Sequence, residues 1–300
     1  MDIIDESKII IQPLQAAWVH NESIHIDMLR LDLIHPVISG NKWYKLRQNL
    51  EQAKISGSQS ILTFGGAYSN HLVAAAAAAN ASGISAIGIV RGNDDTELTS
   101  TLTQCREIGM QLHFISREEY KQKNDEAWLS DLSAKFNDPF IIPEGGANEW
   151  GRLGAEDIAA QIPEGYTHVC VSAGTGTTFI GLRNALPLQM NVIAFAPMRD
   201  GQYLEEEIES HLKRGKDGNW WLFDNWHFGG FAKSNNELIS FMNNFYKIND
   251  CPLDIVYTGK MMYGVQELIR TDFFAPGSKV LCIHTGGLQG NSSVQDMLSY

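Results

Sequence analysis

A chain of 300 residues that is 44% hydrophobic and 19% charged is long enough to bury the core of one large or two modest α/β domains. Its formal net charge of -12 argues against a nucleic-acid partner, because phosphate backbones are held by clustered Lys and Arg; a few local donors can still hold a small anion. Cys105, Cys170, Cys251 and Cys282 lie far apart without CxxC or metal-ligand spacing. Cys170 and Cys282 fall in the apolar runs THVCVS and KVLCIH and read as buried thiols of a reducing compartment.

The chain opens on MDIIDESKII, which is acidic and lacks the basic n-region of a targeting segment, so a cytoplasmic protein is expected. SGNKWYKLR (39–47) then sets Lys42 directly after a Gly-Asn turn, at a helix entrance. The run 60–64 (SILTF) reads as a buried strand, followed by the loop GGAYSNH. An alanine-rich helix over 72–81 is closed by Ser82-Gly83, and the strand 85–90 completes a βαβ unit. Asn80, Ser82, Gly83 and Ser85 interrupt the apolar stretch 71–90, which argues against a membrane span. Helices are expected over 97–108 and 118–136, with short strands at 113–115 and 140–142.

The pattern restarts with a strand at 167–172, the loop AGTGTT, a helix over 179–185 and a strand at 192–196. Segment 205–214 (EEEIESHLKR) reads as an exposed helix, and Trp220, Trp221 and Trp226 as core or a subunit contact. Two more strands, 254–257 and 279–284, run into the glycine turns TGK and TGG. Strands alternating with helices imply parallel sheets, and two separated series imply two lobes. The expected fold is therefore α/β, with two lobes that are each a mostly parallel open sheet flanked by helices. Ligands in such sheets bind beyond the carboxyl ends of strands. Four of these ends carry small, polar loops.

Three loops have chemistry to offer. In AGTGTT, small residues let backbone amides approach an anion at a helix start, and Thr175, Thr177 and Thr178 flank Gly176 with hydroxyl donors. A tight turn would look the same. The absence of a GKS/T ending and of GxGxxG leaves both nucleotide fingerprints unsupported. A lysine placed like Lys42 is by default a surface residue, yet a buried one with a lowered pKa can form a Schiff base. Lys45 shares its helical face, three residues on, where it could help hold an anion. Ser69, Asn70 and His71 stand together at a helix start, suited both to N-capping and to attracting a carboxylate.

Taken in order, RLDLIHPVISGNKWYKLR, LTFGGAYSNHLVAAAAAA, IPEGGANEWGRLG, SAGTGTTFIG, DIVYTGKMMYG and VLCIHTGG resemble one family. It is the aminocyclopropane-carboxylate deaminase and D-cysteine desulfhydrase family, within the tryptophan-synthase-β-like (fold type II) pyridoxal 5'-phosphate (PLP) enzymes. The motifs span residues 29 to 287. The resemblance implies a larger PLP-binding lobe from 1–50 and 152–300, a smaller lobe from 51–151, PLP in the cleft between them, and a homodimer.

It also carries roles to positions. Lys42 matches the lysine that bears the cofactor, and Lys45 a second lysine near the phosphate. Asn70 matches the residue bonded to the PLP 3′ oxygen, and Ser69, with its neighbour His71, the substrate side of that loop. Thr175, Gly176, Thr177 and Thr178 match the phosphate loop. Tyr257 matches a tyrosine beside the substrate, and Thr258 the partner of the pyridine nitrogen. Ring-opening deaminases resemble one another in carrying Glu at that position and Leu before the final Gly-Gly. Thr258 and Thr285 are instead similar to the desulfhydrase pattern. The implied activity is β-elimination and deamination of a small amino acid to a keto acid and ammonia, with Lys42 as base and Tyr257 or Ser69 assisting. The alternatives are an aminocyclopropane-carboxylate deaminase, action on another small amino acid, and a lapsed PLP or amino-acid binding protein. One segment departs from the family: HFGGFAK (227–233) sets His227 where a tyrosine is expected, so His227 is a candidate polar contact to substrate.

Overall fold

The computed structural model describes residues 4–15, 18, 24–93, 98–199, 201–213 and 218–300. In chain order the elements are β1 (Ile11–Pro13), β2 (His25–Arg30), α1 (Asn41–Ile55), β3 (Ser60–Gly65), α2 (Asn70–Ala81), β4 (Ser85–Arg91), α3 (Ser100–Ile108) and β5 (Gln111–Ile115). They continue with α4 (Arg117–Tyr120), α5 (Glu126–Lys135), β6 (Phe140–Ile142), α6 (Glu149–Glu156), β7 (His168–Ser172), α7 (Thr177–Ala185) and β8 (Asn191–Phe195). The last are α8 (Gln202–His211), β9 (Trp220–Phe223), α9 (Asn236–Asn249), α10 (Thr258–Arg270) and β10 (Lys279–His284).

Among the described residues, the strands form a six-stranded sheet in the order β1-β2-β10-β7-β8-β9 and a four-stranded sheet in the order β5-β4-β3-β6. Every pairing is parallel except β1 with β2. Central parallel strands are covered on both faces, which is why SILTF, HVCVS and KVLCIH are continuous apolar runs without alternation. Cys170 and Cys282 are register partners on β7 and β10, both buried and free. The fold is the expected α/β architecture of mostly parallel sheets flanked by helices.

α2 is nearly all alanine on the inside, and Ala74, Ala75, Ala76, Ala78 and Ala79 are buried because the helix lies between neighbours on several sides. One apolar cluster runs from Leu46 and Leu50 of α1 through α2 to Phe179 and Leu182 of α7 and Ile283 of β10. The first turns of α1, α2 and α7 therefore stand on a shared core. The apolar stretch 71–90 divides into α2 and β4. No helix among the described residues is long and apolar enough to cross a membrane.

Several expectations are corrected. Residues 254–257 form a turn leading into α10, because the buried Asp254 carboxylate gathers the amides of Val256, Tyr257 and Thr258 at 2.9, 2.7 and 2.9 Å. The helix expected over 118–136 is divided into α4 and α5. Ser116 and Glu119 cap the first reciprocally, and Asp125 caps the second by accepting from the Trp128 amide. α3 begins at Ser100, capped by Thr99, and Glu97 of the expected helix lies outside the described residues. The acidic helix is α8; Arg214, expected at its end, also lies outside them. Trp220 and Trp221 form part of β9, the sheet's edge strand, while the Trp226 ring packs 5.9 Å from Phe195 and 5.6 Å from Phe223.

Candidate active site

Lys42 is the second residue of α1, and the turn before it exists because Gly40 has a positive φ of 61°. A Cβ on Gly40 would stand 2.0 Å from the Thr285 carbonyl oxygen, so the chain ends of β10 and α1 approach only through glycine. The Asn41 amide donates to that carbonyl at 3.3 Å. The Asn41 side chain spans two loops: its Nδ2 donates to Thr178 Oγ1 at 2.7 Å, and its Oδ1 accepts from Lys42 Nζ at 2.8 Å. Lys42 is 8% exposed, and among the described residues no carboxylate lies within ion-pair distance of it. Burial pushes its ammonium pKa down to about 8, partly offset by the negative charge of Asp254.

Lys45, one turn further along α1, is also buried, and burial and Lys42 together hold it well below the usual lysine range. His71 on α2 completes this group. Burial, then the nearby Lys45 and Lys42, keep its imidazole neutral. Its tautomer follows from its neighbour. Thr63 Oγ1 donates to the Ile142 carbonyl at 2.7 Å, so it must accept from His71 Nε2–H at 2.8 Å. Nδ1 is left as a buried lone pair without a partner, and Asn70 Oδ1 is a second such acceptor. Asn70 Nδ2 donates to the Gly287 carbonyl at 2.9 Å. Gly287 has a φ of 82°, and a Cβ there would stand 2.4 Å from that amide nitrogen. Ser69 is the N-cap of α2, its Oγ accepting from the Leu72 amide at 3.3 Å.

The loop ahead of α7 faces this cluster through Asn41. Gly176 turns the chain at a φ of 75°, and Thr177 and Thr178 are buried in the first helical turn. Thr175 Oγ1 and Thr177 Oγ1 share a hydrogen bond of 2.8 Å. Tyr257 crosses the front of this loop: its ring centroid is 5.9 Å from Lys42 Nζ, and a Cβ on Gly174 would meet its Cε1 at 3.1 Å. Burial and then Asp254 raise the Tyr257 pKa above the ordinary phenol value, so its hydroxyl stays protonated. Thr285 is buried at the end of β10, where its carbonyl receives the Asn41 amide.

Thr258 is wholly buried at the start of α10. Asp254 and Asn41, both integral to this arrangement, were not singled out from the sequence. An aspartate four residues ahead of a threonine at a turn-to-helix boundary was a readable signal for Asp254. Lys260 was missed as well: it is buried and donates to the carbonyls of Pro197, His227 and Gly230 at 3.1, 2.8 and 2.8 Å. His227 is half-buried with its Nδ1 accepting from the Gly229 amide at 3.0 Å. The ring of this segment that meets Tyr257 is Phe231, at 6.0 Å between centroids.

A family model for pyridoxal-phosphate dependent enzymes matches residues 28–286. The chain is similar to an Arabidopsis thaliana mitochondrial protein named a bifunctional D-cysteine desulfhydrase/1-aminocyclopropane-1-carboxylate deaminase. The two are 30% identical over 279 residues, covering 84% of this chain and 70% of that one. The backbone is similar to a crystal structure described as that of an ACC deaminase homologue. That similarity has a TM-score of 0.83 at 26% identity, over 99% of this chain and 96% of the other. A hydrogen sulfide-producing enzyme from Fusobacterium nucleatum shares the fold alone, with a TM-score of 0.68 at 12% identity over 96% and 97% of the two chains.

The donor set fits the cofactor. Two buried lysines side by side call for a bound anion. A helix start lined with hydroxyls supplies amides for a phosphate. Asn70 Nδ2 has a second N–H besides the one given to Gly287, suited to a ring oxygen, while the unpartnered Asn70 Oδ1 and His71 Nδ1 are acceptors suited to a lysine or substrate N–H. With its family matched over most of its length, the chain belongs to the pyridoxal-phosphate dependent enzymes.

Proposed function

We propose that this enzyme eliminates a β-substituent from a small amino acid, with D-cysteine as the defining substrate. D-cysteine and water then yield sulfide, pyruvate and ammonia. The observation that carries the reading is the buried Lys42, with no carboxylate within ion-pair distance among the described residues, whose Nζ is oriented by Asn41 and whose pKa burial pushes down to about 8. A base is most useful when its pKa lies near the working pH.

Bound PLP supplies an electron sink for the substrate α-carbon. Lys42 would carry the cofactor at rest, and its freed Nζ would take the α-proton. Lys45 and the start of α7, with Thr175, Gly176, Thr177 and Thr178, would hold the phosphate; Asn70 would bond the ring oxygen. Thr258 and Thr285 would flank the ring nitrogen. Ser69, at the positive end of α2, suits the substrate carboxylate, and the open Nδ1 lone pair of His71 would accept a hydrogen bond from a substrate N–H. Tyr257, protonated and beside Lys42, would deliver a proton to the departing sulfur, and His227 would add a polar contact at the pocket's edge. The free, buried cysteines support a reducing, cytoplasmic setting; a homodimer and the division into lobes 1–50 with 152–300 and 51–151 rest on the resemblance.

A second reading, ring-opening deamination of 1-aminocyclopropane-1-carboxylate, is favoured by the Arabidopsis relative, whose name holds both activities. Purified enzyme offered D-cysteine, L-cysteine, D-serine and aminocyclopropane carboxylate, with keto acid and ammonia assayed, separates the two. Sulfide and pyruvate from D-cysteine are expected. Turnover of the cyclopropane substrate alone would replace the first reading by the second, and turnover of none would remove both.

A further inference from the structure

Tyr257, the N-cap of α10, and Lys260 and Tyr263 on the helix, at spacings of three, present one aromatic, one ammonium and another aromatic along a line. Segment 226–231 lies along that line. Phe231 meets Tyr257 edge-on at 6.0 Å, and Phe228 meets Tyr263 edge-on at 4.9 Å. Between them Lys260 Nζ donates to the carbonyls of His227 and Gly230, and its third N–H goes to Pro197 beyond the end of β8. One step further along the helix Gly264 has no side chain. A Cβ there would stand 2.6 Å from the Trp226 ring and 2.5 Å from Phe195, so the start of the segment seats directly on the helix.

The segment is held in a conformation it would not keep unaided. Phe228 and Ala232 sit at φ values of 52° and 55°, in the left-handed region, and Gly229 and Gly230 at 98° and 122°. Its internal hydrogen bonds run from the Gly229 amide to His227 Nδ1, from the Gly230 amide to the His227 carbonyl and from the Lys233 amide to the Gly230 carbonyl. Two of the carbonyls in this turn are the ones that Lys260 gathers. Lys260 itself is buried and has no carboxylate within ion-pair distance among the described residues; Asp254 acts on it from further away. A buried ammonium is costly, and three carbonyl acceptors for its three N–H groups are what make it tolerable here.

We infer that Lys260 is a positioning residue for the substrate pocket: it clamps the 227–231 turn onto α10 and so sets Phe231 against Tyr257 beside Lys42. The inference rests on the proposed role of the Lys42 pocket, and it adds a residue whose three N–H groups are all taken by backbone carbonyls. Removing the ammonium frees two carbonyls of a strained turn and unseats Phe231, which loosens the pocket wall without altering Lys42. The Lys260→Met enzyme should therefore bind substrate more weakly while losing less in the chemical step.

The test uses holoenzyme with and without Lys260→Met. Limited chymotrypsin digestion, mapped by mass spectrometry, should cut after Phe228 or Phe231 at least tenfold faster in the variant. KM for D-cysteine should rise about tenfold with a much smaller change in kcat. Lys260→Arg, which keeps charge and donors, should recover part of the protection. Should the Met variant not fold, Lys260→Gln, with two N–H donors, is read the same way. Cleavage at the wild-type rate, or a loss confined to kcat, would overturn the inference. If neither protein turns over any amino acid, the proposed function fails, and the cleavage pattern still decides the clamp.

Discussion

Thr258 Oγ1 donates to Oδ2 of Asp254 at 2.8 Å and at the same time accepts from the Asp254 amide at 2.8 Å. The threonine hydroxyl is thus backed by a buried carboxylate that also caps the turn into α10, and only one of its lone pairs remains open. The residue in the position where ring-opening deaminases carry Glu is thus a hydroxyl whose proton is already given to a buried carboxylate.

Thr258→Val removes the two hydroxyl bonds to Asp254, keeps the backbone amide bonds to its carboxylate, and leaves Oδ2 one donor short and the Asp254 amide without its acceptor in a dry site, a loss of roughly 1–3 kcal/mol. Thr258→Ser keeps both bonds and should stay within about 1 kcal/mol of the parent. Thr258→Glu sets a second carboxylate beside Asp254, so one of the pair must take up a proton or the turn must open. Urea unfolding of the three variants orders them Ser, then Val, then Glu; a Val variant as stable as the parent would contradict the two-way bond.

Lys42 gives a prediction with a definite sign. Its folded pKa of about 8 lies below the ordinary lysine value of 10.5, so the folded state holds fewer protons between those values and stability rises with pH there. Below about pH 8 the buried charge destabilises the cofactor-free protein by roughly 3 kcal/mol at most. Lys42→Met should therefore raise the melting temperature of the cofactor-free protein at pH 7, with the gain shrinking as pH approaches 10.5. With PLP added, the parent should turn yellow and, after borohydride, carry the reduced group on Lys42. Label on Lys45 instead would overturn the assignment.

Gly40→Ala and Gly287→Ala test the two close approaches around the pocket. Each residue has a positive φ, and each Cβ would intrude, against Thr285 O at 2.0 Å and Asn70 Nδ2 at 2.4 Å. Gly40→Ala meets rigid backbone and should be the worse, costing several kcal/mol and cofactor retention together. Gly287→Ala meets a side chain that can move. It should lose PLP affinity through Asn70 while unfolding closer to the parent. Fluorescence titration with PLP beside thermal unfolding distinguishes the two.

The pairing of Thr258 with Thr285 predicts substrate preference. The wild-type enzyme should release sulfide from D-cysteine faster than it deaminates aminocyclopropane carboxylate, because thiol departure relieves α-carbanion charge and asks less of the ring nitrogen. Matched kcat/KM values for the two substrates decide it. A larger value for the cyclopropane would mean that the two threonines do not set the reaction.

Much of this protein is local information. Continuous apolar runs such as KVLCIH identified buried parallel strands. Gly40-Asn41 marked the turn at Lys42, and the ordered motifs placed Lys42, Lys45, Asn70 and the AGTGTT loop near one another through family resemblance. What the sequence could not decide depends on partners far along the chain. Residues 254–257 look like a strand because their side chains are apolar, yet Asp254 draws three amides into a turn. Asn41 is an ordinary turn residue until Thr178, 137 positions away, receives its amide. The tautomer of His71 follows from Thr63 and Ile142, and the seat of the 227–231 turn follows from a lysine on a later helix. Backbone propensity and burial pattern are read residue by residue. The pairing of buried polar groups is settled only when the two sheets and their helices have packed, because each donor must then find whichever acceptor folding has brought within 3 Å.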